Sequence, residues 1–325
     1  MKKALITGIT GFAGPNLANL LLECTDWEVH GIVRGSNGRE NDIRDIVPDE
    51  NFKRIKFHYC DITEDHTIMK LFRDNKFDYC FHLAAQSHPP TSFTFPVYTF
   101  MTNAVGTVNI CGAIERYQPE CKLMNCSTSE VYGSVPEEAG AITEEFPLNP
   151  INPYGVSKAA ADMYVTERAK STGLLAFNTR AFSHTGIRRG NKFSISSDAY
   201  QLARIINKQQ DNVIRVGNLD SKRVVMDVRD CVNAYYLLML YATPGENYNV
   251  GGNLLHPMRY FLDTLCDIAD VGPEIVVDSG LWRPIDIHVQ IPDSTKLRIL
   301  TTWQPEWCIK DTLNDLLEYW IKKTK

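Results

Sequence analysis

The sequence predicts an α/β protein: a doubly wound parallel sheet, with a smaller α/β part towards the C-terminus. Three observations carry this reading. Short apolar runs alternate with helical patterns through the first half, a glycine-rich turn follows the first run, and the alternation breaks after Phe182. The chain has 325 residues, enough for about two domains of ordinary size.

Taken in order, Ala4–Thr7, Val29–Val33, Ile55–Tyr59, Tyr79–Leu83 and Leu123–Cys126 read as strands. Each run is short and apolar, the pattern of a strand buried on both faces. Between them Pro15–Cys24, Thr67–Asp74, Tyr98–Tyr117 and Tyr154–Ser171 carry helical periodicity. Such strand–helix–strand units close by right-handed crossovers, and their ligands sit beyond the carboxyl ends of the strands. The segment 183–197 is polar and rich in glycine and arginine, too long for a plain connector. A helix at Ala199–Gln209, a strand at Asn212–Val216, a helix at Val228–Tyr241, a strand at Asn247–Val250 and a last amphipathic helix follow.

Composition narrows the function classes. Hydrophobic residues are 44% and charged ones 22%, which argues against disorder and fibrous repeats. The net charge of −5 offers no basic surface to nucleic acid or an anionic membrane, so an anionic ligand needs local positive partners. Nine cysteines are scattered without a C-x-x-C pair, which points to a reducing cytoplasm and away from disulfides or a zinc knuckle. The apolar stretch Ala234–Ala242 falls far short of the ~20 residues of a membrane span. The opening Met-Lys-Lys-Ala-Leu-Ile-Thr-Gly does not read as a signal peptide. No His/Cys/Asp/Glu group has metal-ligand spacing, so no metal is expected.

The turn Thr7-Gly8-Ile9-Thr10-Gly11-Phe12-Ala13-Gly14 lies between the first strand and the first helix. Gly8 allows the sharp turn, Gly11 a close backbone approach and Gly14 tight helix–strand packing, while the helix N-terminus faces a pyrophosphate. Pro15 fits the first helical position. The spacing is G-x-x-G-x-x-G, and a plain strand–helix turn is the competing reading. Its place at the first strand favours a dinucleotide. The second strand ends in Val33-Arg34, with no acid for a ribose 2′-hydroxyl. Arg34 suits a 2′-phosphate, making NADP the expected cofactor and NAD the alternative. Asp61 and Ile62 are placed for the adenine; Ala84, Ala85 and Gln86 are small or polar residues beside the cofactor.

Tyr154 and Lys158 stand four apart on one helical face, where the ammonium favours the phenolate and reaches ribose hydroxyls. The fifth strand ends in Ser127-Thr128-Ser129-Glu130. Thr128 can bond a substrate hydroxyl, and Glu130 brings a carboxylate to the same cleft. Alone, the pair fits an exposed helix and the glutamate a solvated loop; together they favour chemistry. Arg188, Arg189, Arg223 and Arg283 supply local positive charge suited to a diphosphate. For Arg188 and Arg189 solvated surface is an equally good reading, and for Lys192 the better one. His88 and His184 either face the sugar or pack within the fold.

These motifs together resemble the extended short-chain dehydrogenase/reductases that modify nucleotide sugars, over nearly the whole length. Ala84-Ala-Gln-Ser-His88, Thr102-Asn103-Ala-Val-Gly-Thr, Ser127-Thr-Ser-Glu-Val-Tyr-Gly133, Arg188-Arg189-Gly190, Gly217–Asp220 and Arg283-Pro284 look most like the GDP-mannose 4,6-dehydratase branch. The resemblance implies a Rossmann dinucleotide domain over 1–182, to which about 226–252 return, and a mainly nucleotide-sugar-binding part over 183–325. It implies tightly held NADP, with Asn103 added to the cofactor set. By resemblance, hydride leaves C4 of the hexose with Tyr154 as base and Lys158 as its partner, and Thr128 holds O4. Glu130 takes the C5 proton, water leaves from C6, and the hydride returns there. Ser87, His88, Ser129, Ser183 and His184 would meet a substrate that is GDP-linked. Members of the branch are homodimers or homotetramers, and Arg34–Glu50 resembles the loop that contacts a neighbour.

Three departures concern the sugar end. Ser183 stands where the branch usually has asparagine, Val224-Val225 replace Asp-aromatic, and Pro89-Pro90 form an unusual pair. Another GDP-hexose or a heptose therefore stays open as substrate. A nucleotide-sugar C4 dehydrogenase, 4-ketoreductase or epimerase is the competing function, and a non-enzymatic cofactor-binding protein the remote one.

Overall fold

The structure, a computed structural model, describes residues 1–35, 38–282, 285 and 287–325. Seven parallel strands form the main sheet: β1 (Lys3–Thr7), β2 (Glu28–Val33), β3 (Lys56–Tyr59), β4 (Tyr79–His82), β5 (Lys122–Cys126), β6 (Ala176–Ala181) and β7 (Asn247–Val250). Their spatial order is β3-β2-β1-β4-β5-β6-β7. The chain runs outward from β1 to β3, then returns to the other side of β1 with β4. That reversal opens a crevice at the carboxyl ends of β1 and β4, where ligands bind in this architecture.

Both faces of the sheet are covered. On one side α1 (Ala13–Cys24) and α6 (Val228–Tyr241) pack Leu17, Leu21, Tyr235 and Leu238 against Val29 and Phe81. Helices are labelled in chain order, so α2 (Asp65–Asp74), α3 (Gly106–Tyr117) and α4 (Pro153–Thr172) cover the other side. There Ile68, Ile110, Ile114 and Val165 enclose Leu5 and Leu123. Leu297 and Trp303, from late in the chain, join the first of these cores. A separate core holds the C-terminal part together: Leu202, Phe261, Leu262, Leu313 and Leu316 from α5 (Ser194–Ile206), α7 (Met258–Ala269) and α8 (Ile309–Lys323). Beside it the strands Val213–Val216 and Glu274–Val277 pair in parallel.

Three local details differ from the sequence reading. Helix α1 begins at Ala13, so Pro15 sits third and not first; it still lies in the first turn, where no intrahelical acceptor awaits its missing N–H. The pattern Tyr98–Tyr117 is not one helix. A short helix Pro96–Phe100 passes through a π-helical turn at Met101–Val105 before α3, and such turns insert a residue that redirects side chains. Helix α5 starts at Ser194 and ends at Ile206, earlier than the pattern Ala199–Gln209 suggests. No helix among the described residues is long and apolar enough to cross a membrane.

A buried ion pair fixes α4 against the sheet. Arg180 of β6 donates to Asp162 of α4 at 2.9 and 3.0 Å, with both groups almost wholly buried. Breaking such a pair strands a charge in the interior and costs about 3–5 kcal/mol.

Candidate active site

The glycine turn adopts the conformation its residues allow. Gly8 has φ +72°, and a Cβ there would lie 2.8 Å from the Ala84 nitrogen. At Gly14 a Cβ would lie 2.4 Å from the Gly8 carbonyl and 2.7 Å from Ile9 Cα, so only glycine lets α1 start this close to β1. The Gly11 N–H donates to Gly8 at 2.9 Å, closing the turn. No side chain caps α1 at Phe12, which leaves the first-turn N–H donors available to an anion. Thr10 is half-buried, and its carbonyl accepts from Arg188 at 3.3 Å. Arg188 also pairs with Asp45 at 3.1 Å, so its charge clasps the loop to the segment Arg39–Asp45 and is already partnered.

Around this turn the remaining cofactor candidates gather at strand ends. Arg34 is exposed past β2 and donates to the Tyr98 hydroxyl at 2.6 Å, which together with nearby Asp61 raises its pKa. Asp61 accepts from the Thr63 N–H and hydroxyl at 2.9 Å, so its carboxylate shapes the loop after β3. Ile62 is buried, and its carbonyl accepts from Asn109. Ala84 donates its N–H to Thr7 at 3.0 Å, and Ala85 is half-buried beside it. Asn103, within the π-helical turn, joins three elements: it accepts from the Gln86 N–H at 2.8 Å and donates to the Gln86 carbonyl and to Ser157 of α4. These residues fit a dinucleotide: a turn too tight for side chains, unoccupied first-turn donors, and an arginine past β2.

The reactive candidates meet where β5 ends and α4 begins. Thr128 caps the short turn Ser129–Tyr132 by accepting from the Glu130 N–H at 3.3 Å. The Glu130 carboxylate accepts from Asn152 Nδ2 at 2.6 Å. Asn152 in turn caps α4 through Gly155 N–H at 2.8 Å, with Pro153 at the first helical position. Tyr154, two residues on, is buried; burial raises its phenol well above the ordinary value, while a hydrogen bond with Thr128 and the charge of Arg189 pull it down. Lys158 is buried as well and donates from Nζ to the Cys126 carbonyl at 2.7 Å. Burial lowers its pKa, countered by Asp162. Arg189 thus adds its positive charge beside the phenol, a link the four-residue spacing of Tyr154 and Lys158 does not reveal.

Arg189 stacks between two rings, 4.8 Å from Phe12 and 3.5 Å from Phe193. Phe12 also stacks on His184 at 5.7 Å. Burial, with Arg189 nearby, pushes His184 down to about 4, so it is neutral at pH 7. A cavity of about 290 Å³ opens beside them, lined by His88, Ser183, His184, Arg189 and Arg223 among others. His88 bonds Thr91 at 2.8 Å and the Lys192 carbonyl at 3.1 Å. Arg223 donates to the carbonyls of Lys222 and His288 at 2.8 and 3.1 Å. Ser87 is exposed and does not line this cavity. Ser129 is buried and exchanges hydrogen bonds with Gln290, at 3.0 and 3.2 Å, which ties the turn Ser129–Tyr132 to the strand Val289–Gln290. Arg283 lies outside the described residues.

Two supporting residues escaped the sequence reading. Asn152 had a legible signal, since Asn before Pro at a helix start is a capping pattern. Ser92 had none: its buried hydroxyl accepts from the Tyr154 N–H at 3.0 Å, bringing the helix Pro89–Thr94, which opens on the proline pair, against α4.

Comparison with known proteins places this geometry. The family model for GDP-mannose 4,6 dehydratase matches residues 5–316. A GDP-6-deoxy-D-mannose reductase from Pseudomonas aeruginosa is 30% identical over all of this chain and 99% of its own. A GDP-mannose 4,6 dehydratase from Drosophila melanogaster is 30% identical over 98% of this chain and 85% of its own. The structure of RMD from Pseudomonas aeruginosa complexed with NADPH superposes with a TM-score of 0.85 at 29% identity, covering 99% of this chain and 100% of that one.

Proposed function

The chain belongs to the GDP-mannose 4,6-dehydratase family, and we propose that it is a 4,6-dehydratase of a GDP-hexose or related GDP-sugar that holds NADP. The observation that carries this reading is the meeting of Thr128, Glu130 and Tyr154, with Glu130 drawn to Asn152 at 2.6 Å. NADP would lie along the α1 N-terminus, with Arg34 at its 2′-phosphate, Asp61 and Ile62 at the adenine, Ala84–Gln86 and Asn103 alongside, and Lys158 at the ribose. When bound, the cofactor supplies a hydride acceptor and donor beside the sugar.

Each step on the protein's side follows from a named group. Tyr154 takes the proton from the C4 hydroxyl, which Thr128 orients by hydrogen bonding. A buried phenol is a weak base, so the positive charges of Arg189 and Lys158 are needed to bring it within range. Once C4 is a ketone, its carbonyl acidifies the C5 proton, and a carboxylate such as Glu130 suffices to remove it. The C6 hydroxyl would then leave with the proton that Glu130 took from C5, departing as water, and the hydride removed from C4 would return to C6 as C5 regains a proton. Arg223, with Arg189, would hold the diphosphate.

A second reading is a 4-ketoreductase, favoured by the full-length likeness to a protein named GDP-6-deoxy-D-mannose reductase. Incubation of the purified protein with GDP-sugars, with no nicotinamide added, separates the two. A product lighter by one water supports the dehydratase; turnover only with added NADPH supports the reductase. Glu130→Gln abolishes water loss if Glu130 is the C5 base.

We also propose a homo-oligomer and a cytoplasmic setting. Val97, Met101, Val108, Val156 and Met163 are exposed along the helices Pro96–Phe100 to α3 and α4, an apolar stripe that a second copy would cover. Met163→Glu should shift the protein towards monomer in analytical ultracentrifugation. All nine cysteines are free, which supports a reducing compartment.

A further inference from the structure

Four aspartates are buried among the described residues: Asp162, Asp198, Asp227 and Asp230. Three have evident partners. Asp162 takes Arg180, Asp227 takes Arg229 and Thr312, and Asp230 accepts from the N–H groups of Glu306 and Trp307. Asp198, on α5, is the exception. It is 3% exposed, yet no described residue donates a hydrogen bond to its carboxylate or pairs with it. Burial alone raises its carboxyl to about 7, as expected where no cation stands nearby. Buried carboxylates are almost always satisfied, because an unpaired one costs stability with nothing to offset it.

The position of Asp198 says what can satisfy it. It lines the same cavity as Arg189 and Arg223, in company with Arg215, Gly217 and Asn218 of the C-terminal part. One end of that cavity touches His184, which stacks on Phe12 of the glycine turn. Helix α5 packs into the separate core of α7 and α8, and the Asp198 charge acts on Cys266 of α7, which puts Asp198 on the side of the cavity formed by the C-terminal part. A nucleotide sugar laid along the cavity, sugar at Tyr154, would present its base to the C-terminal part.

We propose that Asp198 is the specificity-determining residue for the base, accepting both the N1–H and the 2-amino group of guanine on its two carboxylate oxygens. This rests on the nucleotide-sugar reading above. Among the common bases guanine alone presents two adjacent donors to match two acceptor oxygens. Uracil and thymine offer one N–H between two carbonyls, which would face the carboxylate oxygens. Adenine and cytosine set an acceptor nitrogen beside their amino group, with the same conflict. A polar site built this way discriminates strongly, because the wrong partner leaves buried groups unpaired.

The test is calorimetric titration of the full-length protein with GDP, IDP, UDP, ADP and CDP, in the wild type, Asp198→Asn and Asp198→Ala. IDP lacks only the 2-amino group. The wild type should prefer GDP to IDP and IDP to UDP, and each substitution should weaken GDP roughly 10–100-fold while changing UDP less than about threefold. The preference for GDP over IDP should vanish in both. NADP affinity and melting temperature serve as controls, and removal of an unpaired buried charge should leave melting unchanged or higher. Asp198→Asn binding GDP within about threefold of wild type, or wild type binding IDP or UDP as tightly as GDP, overturns the assignment and leaves the nucleotide-sugar reading standing. Wild type binding no nucleoside diphosphate at all overturns both.

Discussion

Asn152 joins stability to chemistry in a way that two substitutions can separate. Its Oδ1 accepts from Gly155 at 2.8 Å to cap α4, and its Nδ2 donates to Glu130 at 2.6 Å. Asn152→Ala removes both bonds. Loss of a helix cap costs about 1 kcal/mol. Loss of a hydrogen bond to a charged group costs about 1.5–3 kcal/mol, and half-buried Glu130 belongs at the low end of that range. The sum of about 2.5 kcal/mol should lower the melting temperature by roughly 5 °C in a chain of this size. Asn152→Ser keeps a capping oxygen but has no amide to reach Glu130, so it should keep the cap's share of that stability. Both variants should lose about 10–100-fold in kcat with little change in KM, since a base displaced by ~1 Å costs that much. Calorimetric melting and steady-state dehydration assays read the two effects. Equal destabilisation of Ser and Ala would show that the cap contributes nothing, and wild-type turnover in either variant would show that the tether to Asn152 is not what positions Glu130.

Three further outcomes follow from the same geometry. Gly14→Ala drives a Cβ to 2.4 Å from backbone, so NADPH affinity measured by fluorescence should fall at least about tenfold or the protein should fail to accumulate. Tyr154→Phe should cut kcat about 10²–10⁴-fold while leaving NADPH binding within a few-fold, because only the proton-transfer group is removed. His82 is buried between Thr7 and Thr107, and burial lowers its pKa from 6.5 to about 3. Its folded value is depressed, so the stability it contributes is present above about pH 6.5 and lost as pH falls towards 3, at ~1.4 kcal/mol per pH unit. His82→Gln should flatten the acid limb of denaturation curves by about one proton; an unchanged slope would show that His82 is not neutral in the folded protein.

The sheet was legible because its strands are buried on both faces. Runs such as Val29–Val33 and Leu123–Cys126 are short and mostly apolar, with a single polar residue each (His30 and Asn125) that is itself buried, and the glycine turn fixes where α1 begins. The proposed catalytic trio of Thr128, Glu130 and Tyr154 was legible for a related reason, as it falls just past β5 and at the start of α4. What the sequence hid depends on contacts between distant segments. The π-helical turn at Met101–Val105 continues a helical pattern and shows itself only through Asn103 reaching Gln86 and Ser157. Arg188 and Arg189 are adjacent and chemically alike, yet one is ion-paired to Asp45 while the other stacks between Phe12 and Phe193. Asp198 looked like any polar residue on an amphipathic helix, since its isolation is a property of what surrounds it. Helix α7, overlooked in the sequence, carries Phe261, Leu262 and Leu265 on one short face beside polar flanks, a pattern too brief to separate from loop.

The central claim is a redox-neutral elimination in which Tyr154 and Glu130 work on neighbouring carbons of one sugar. It is tested most directly with a GDP-hexose carrying deuterium at C4, incubated with the purified protein and no added nicotinamide, and read by NMR. The account predicts a 4-keto product, lighter by one water, with the deuterium at C6. A product that keeps its C6 hydroxyl, or that forms only when NADPH is supplied, would contradict it.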